Sequence, residues 1–94
     1  MPYYRPVGRI VLRRIGDDAV LVPVSGTAVE SNHLYPLNET GAFIWERLTR
    51  QETVADIAAA VSRTFAVDKV EAETDCRLFI EQLEQERLVE RVEP

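Results

Sequence analysis

The feature that most constrains the fold is a change of hydrophobic rhythm at Asn38. Upstream, apolar residues come in short β-branched runs separated by turn residues. Downstream they recur three and four residues apart, the spacing that places them on one face of a helix. Strands followed by helices, without alternation between the two, specify an α+β domain rather than a parallel sheet with crossover helices.

The upstream part holds three candidate strands. Residues 7–14 (VGRIVLRR) and 19–24 (AVLVPV) flank the turn signal Gly16-Asp17-Asp18 and predict a hairpin. Ser25-Gly26-Thr27 reads as a loop, and residues 32–37 (NHLYPL) as a third, short strand. Pro36 has no backbone donor, which suits an edge strand or a strand end.

The downstream part holds three helices within residues 39–86. Asn38 is a good N-cap, and Ile44, Trp45 and Leu48 then share a face. Phe43 is out of phase with them, leaving ligand stacking or a place under the hairpin as its roles. Thr53 with Asp56 three residues on resembles a capping box, and Val54, Ile57, Ala58, Val61 and Phe65 make the second stripe. Asp68 opens the third helix, whose core stripe is Ala72, Cys76, Phe79, Ile80 and Leu83. That helix is expected to end near Glu86, with Leu88 and Val89 packing back on the core. The whole reads as one winged-helix-like domain over residues 1–94, a three-stranded antiparallel sheet followed by a three-helix bundle.

Composition excludes several functions. The net charge is −5, and it is uneven: residues 1–37 carry +1 and residues 38–94 carry −6. Residues 68–93, where a DNA-reading helix would lie, hold 9 acids and 4 bases. Phosphate backbones require clustered Lys and Arg, so a winged-helix DNA-binding regulator is the alternative and nucleic acid is not the expected partner. No apolar run reaches the roughly 18 residues of a membrane helix, and the N-terminus lacks a signal-peptide core. One cysteine permits no internal disulfide. A cytoplasmic location is expected.

Constellations for chemistry are missing. The one histidine, His33, has no Ser or Cys partner at motif spacing and too few companions for a metal site. Cys76 lies on the apolar stripe, where a thiol acts as a small hydrophobe rather than a nucleophile. No glycine-rich phosphate loop occurs. Neither enzymatic activity nor a cofactor is expected. One pattern remains: Asp75, Leu78, Phe79 and Gln82 form a second stripe at the edge of the third helix's core face. Beside a short edge strand it lines one wall of a groove. Arg77 and Glu81, on the other flank, are the alternative wall.

The ordered set Leu37-Asn38 with Thr40, Ile44-Trp45, Leu48, Thr53-Val54, Ile57, Asp75, Phe79-Ile80, Leu83 and Leu88 resembles the PqqD-like family over residues 30–92. The resemblance implies a non-catalytic peptide chaperone, a precursor-peptide recognition element. Such a domain binds the leader of a ribosomally made peptide and presents it to a modifying enzyme, in pyrroloquinoline-quinone synthesis a radical S-adenosylmethionine protein. The leader adds as a strand to the third strand and lies against the third helix. This carries a peptide-binding role onto His33, Leu34, Tyr35 and Leu37, and onto Asp75, Leu78, Phe79 and Gln82. An uncovered edge also predicts a monomer or weak homodimer. The chain departs from quinone-pathway members at Trp45, in the second strand, and at Thr49-Arg50-Gln51-Glu52, where a Gly is common. Maturation of another peptide class is therefore equally open.

Overall fold

The computed structural model describes residues 2–25 and 34–93. In chain order the elements are β1 (Tyr3–Pro6), β2 (Ile10–Ile15), β3 (Asp18–Pro23), β4 (Tyr35–Leu37), α1 (Glu39–Leu48), α2 (Val54–Phe65), α3 (Lys69–Gln85) and β5 (Val89–Val92). Strands β2, β3 and β4 form the expected antiparallel sheet, with β3 in the centre. Its bounds shift slightly from the expectation. β2 begins at Ile10 rather than residue 7 because Gly8 takes φ +73°, a left-handed conformation that interrupts the extended run. Gly16, at φ +64°, makes the tight turn into β3.

A second, two-stranded sheet pairs β1 with β5 antiparallel, Tyr3 opposite Val92 and Pro6 opposite Val89. Arg5 faces Glu90 across it, with Nε 2.6 Å from the carboxylate. Both side chains are about half exposed, so this pair fixes register more than it adds stability. The expectation that Leu88 and Val89 pack back on the core holds, and the strand they begin is the means.

Each helix starts on the side-chain cap expected of it. Asn38 Oδ1 accepts from the Gly41 N–H at 2.8 Å, Thr53 Oγ1 from the Asp56 N–H at 3.2 Å, and Asp68 Oδ2 from the Val70 N–H at 3.1 Å. Their ends are less regular. Gln51, Ala66 and Arg87 follow the three helices with φ of 65°, 54° and 61°. After α1 and α3 the chain closes the last turn with paired bonds: Gln51 N–H to Leu48 O and Glu52 N–H to Arg47 O, then Arg87 N–H to Glu84 O and Leu88 N–H to Leu83 O. This geometry favours glycine, and none of the three positions has one.

The core lies between the helices and the inner face of the three-stranded sheet. Leu21, Ile44, Leu48, Ile57, Cys76, Ile80 and Leu83 are its fully buried large side chains. Trp45 is buried with them, as its phase predicts. Phe43 packs edge-on against Phe65 of α2, ring centroids 5.3 Å apart, with the Arg47 guanidinium 5.0 Å above it. Its role is thus to hold α1 and α2 together. No helix among the described residues is long and apolar enough to cross a membrane.

Gln51→Gly should stabilise the domain by roughly 1 kcal/mol, because a left-handed residue with a Cβ is strained by about that amount. A chemical-denaturation midpoint unchanged or lowered would show that the Gln51 side chain compensates for the strain.

Candidate functional site

Among the described residues, the sheet order β2-β3-β4 leaves one side of β4 unpaired. The parity of the ladder determines which backbone groups that side offers. Val24 N–H donates to Arg9 O, continuing the β2–β3 ladder beyond Pro23, so even-numbered residues of β3 direct their backbone groups toward β2. Odd-numbered Ala19 and Leu21 therefore face β4, where they pair with Leu37 and Tyr35. Pro36, opposite Val20, directs its carbonyl to the open edge. So does Leu34, the next even position.

Side chains alternate accordingly. Leu37 is buried, Tyr35 is half-buried, and Leu34 and Pro36 are exposed. Burial raises the Tyr35 phenol pKa, and the charge of the Glu86 carboxylate, just past α3, adds to it. At the other end of β4, Leu37 meets the middle of α3 through Gly41. A Cβ on Gly41 would lie 3.3 Å from Phe79 Cε1, 3.3 Å from Asn38 Oδ1 and 3.4 Å from Leu37 Cβ. The missing side chain is what lets the Phe79 ring reach the β4–α1 junction.

The C-terminal end of β4 thus approaches α3 at Phe79. The helix flank on that side carries Asp75, Leu78, Phe79 and Gln82. Phe79 is half-buried and the other three are exposed, Leu78 at 59%. Leu34 is exposed to a similar degree, 57%. Of the eight residues read as peptide-binding, Leu37 and Phe79 both border Gly41. Tyr35 and Leu34 lie along or just before β4, and Asp75, Leu78 and Gln82 lie along α3 on the side of Phe79. His33 lies outside the described residues. Arg77 and Glu81 line a different depression of about 490 Å³, with Tyr4, Thr53, Val54 and Arg91. That depression faces the β1–β5 sheet, where Tyr3 bridges to Thr53 on the outer side of β1.

Sequence reasoning missed Gly41 and Glu86. Gly41 lies within the first helix, where nothing local signals that its lack of a side chain accommodates a residue 38 positions away. The relation of Glu86 to Tyr35 depends on how β4 and α3 align, which no local pattern encodes.

Little here suits bond-making chemistry. Among the described residues no three His, Cys, Asp or Glu side chains cluster as metal ligands. The Cys76 thiol is fully buried, and burial pushes its pKa up to about 11, with the Asp75 carboxylate adding to the shift. A thiol held protonated and enclosed is a poor nucleophile.

The fold is a small α+β domain in which, among the described residues, β4 keeps an open edge and ends near Phe79 of the longest helix. The profile of the family described as Coenzyme PQQ synthesis protein D (PqqD) matches residues 19–89. The chain belongs to that family. Two solved structures share the fold. One, described as TbiB1 in complex with the TbiA(beta) leader peptide, is 24% identical with TM-score 0.77, over 92% of this chain and 94% of that one. The other, lasso peptide synthetase B1 complexed with the leader peptide, is 23% identical with TM-score 0.78, over 93% and 96%. Among curated proteins nothing matches.

The Cys76 shift makes stability fall with pH in a defined window. Between the ordinary thiol value of 9.0 and about 11, the unfolded chain releases the proton that the folded chain retains. The folded state is therefore favoured fully below that window and loses this contribution as pH rises through it. Tyr4 and Tyr35, both raised by burial, act in the same direction at higher pH. Urea midpoints measured across pH 8–11 should fall less steeply for Cys76→Ala than for the wild type. Parallel slopes would mean the thiol titrates alike in both states.

Proposed function

We propose that this chain is a non-catalytic adaptor that binds the leader of a ribosomally made precursor peptide and presents it to a modifying enzyme. The observation that carries this reading is the unpaired edge of β4 running beside the Phe79 flank of α3. An extended peptide completes such a sheet through backbone bonds, and its alternate side chains meet the helix wall. The leader then lies antiparallel to residues 33–37, with apolar side chains on Leu78 and Phe79 and polar contacts to Asp75 and Gln82. Support comes from family membership and from two neighbours of the same fold, each solved with a leader peptide.

The receiving enzyme follows from the pathway. In quinone synthesis it is a radical S-adenosylmethionine protein. The likeness to a lasso peptide synthetase component favours a second peptide class for this chain. The adaptor works in the cytoplasm as a monomer or weak homodimer and uses no cofactor of its own.

The DNA-binding alternative fails on charge. The described exposed positions of α3 include Glu71, Glu73, Asp75, Glu81 and Glu84 against Lys69 and Arg77. A recognition helix of that composition repels a duplex. Random-sequence DNA should give no gel shift at physiological salt, and a salt-dependent shift would restore the regulator reading.

The direct test uses the leader segment of a candidate precursor peptide. It should bind with micromolar or better affinity, about −8 kcal/mol or stronger, and move the amide resonances of residues 34, 35, 37 and 75–82. Leu78→Glu should weaken binding roughly tenfold or more, about 1.4 kcal/mol, while leaving the unfolding midpoint within about 0.5 kcal/mol of wild type. Cys76→Glu should unfold the domain, because it buries an unpaired charge. Shifts confined to residues 47–65, with β4 silent, would remove the groove from consideration.

A further inference from the structure

An open strand edge invites two kinds of partner, a foreign peptide and a second copy of the same edge. The geometry points to Pro36 as the residue that separates them. We propose that Pro36 makes the β4 edge selective for a foreign strand by removing the one donor that self-pairing needs most. The proposal rests on the peptide-binding reading for its purpose, but not for its test.

The ladder parity carries it. Tyr35 and Leu37 face β3, so the outward backbone groups of this segment belong to the even residues Leu34, Pro36 and Asn38. Leu34 offers an N–H and a carbonyl. Pro36 offers a carbonyl alone. Asn38 offers its N–H, since its carbonyl already accepts from the Ala42 N–H at 2.9 Å. The edge therefore presents two donors and two acceptors, with a missing donor at its centre.

A foreign strand meets that defect once. Laid antiparallel, it exchanges both bonds with Leu34, donates one N–H to the Pro36 carbonyl, and accepts one from Asn38. Only the carbonyl opposite Pro36 goes without a protein donor, and at an exposed edge water satisfies it. A second copy brings the defect again. In a two-fold pairing centred on Pro36, proline faces proline and the central pair forms no bond. Shifting the two-fold axis to Tyr35 sets each Pro36 against Leu34 of the other copy and again loses one donor per chain, while an axis at Leu37 sets it against Asn38, whose carbonyl is already taken by Ala42. The registers centred on Pro36 and on Tyr35 thus each lose two bonds, where a peptide loses one. The rest of the edge does little to oppose self-pairing, since Leu34 is exposed and apolar and the paired segment is uncharged through Asn38.

A net backbone hydrogen bond corresponds to roughly a two- to tenfold change in an equilibrium constant. Restoring the donor should strengthen a peptide complex by that factor once and self-association by roughly its square.

The experiment compares wild type with Pro36→Ala and Pro36→Val by sedimentation equilibrium from micromolar to millimolar concentration. Amide exchange at residues 34–38 is read in parallel. Val is included because its extended preference replaces the proline's rigidity, should the Ala variant fold poorly. Wild type should stay monomeric or weakly self-associating. Both variants should dimerise more tightly, on the order of four- to a hundredfold, with the new amide of residue 36 and that of Leu34 becoming protected as concentration rises. Variants that match wild type, a wild type that already dimerises tightly through β4, or a variant dimer that leaves these amides unprotected would each overturn the proposal. No peptide is needed, so failure of the leader to bind would count against the proposed function alone.

Discussion

The buried stripe of α3 carries the rest of the structure. Ala72, Cys76, Ile80 and Leu83 are all enclosed, and α3 packs along α2 and against β5. On one side Phe79 reaches the β4–α1 junction. On the other, Tyr4 and Arg91 of the β1–β5 sheet border the depression lined by Arg77 and Glu81. Burying an Ile or Leu contributes about 1.5–3 kcal/mol, against the 5–15 kcal/mol that holds an ordinary domain folded. In a chain of 94 residues a single defect in this stripe therefore weakens the packing of α2 and of β5 at once.

The candidate groove follows from that arrangement at little expense in residues. It does not require a cavity. A three-residue strand, a glycine that makes room for one aromatic ring, and one exposed leucine suffice. The edge supplies direction and register through backbone groups, and the helix supplies chemical preference through side chains. This division suits a domain that recognises a peptide and transfers it to another protein, because neither wall encloses the peptide.

Much of the architecture was legible in the sequence, for reasons that can be named. Asn38, Thr53 and Asp68 have side chains that bond the first free N–H groups of a helix, so each marks its helix locally. The phase of Cys76 against Leu78 separates buried from exposed on α3, because helical periodicity is geometric. The β1–β5 sheet was not legible. Its strands are four residues each, and neither has an apolar face until it meets the other across almost the whole chain. The flank of α3 that faces β4 was legible only as a choice between two. Helix phase orders side chains around an axis but does not say which neighbour lies on which side. The left-handed residues Gln51, Ala66 and Arg87 were hidden for the opposite reason. The usual signal is glycine, and tertiary packing enforces the conformation without it.

The β1–β5 pairing also determines how the domain can be attached to something larger. Tyr3 and Val92 lie opposite one another, so the two ends of the folded unit leave it at a single point. A modifying enzyme fused before β1 or after β5 would hang from the same place. With linkers of equal length it would sample the groove at the same effective concentration. The two gene orders are then mechanically equivalent, and a circular permutant that joins the two ends should present the β4 edge unchanged.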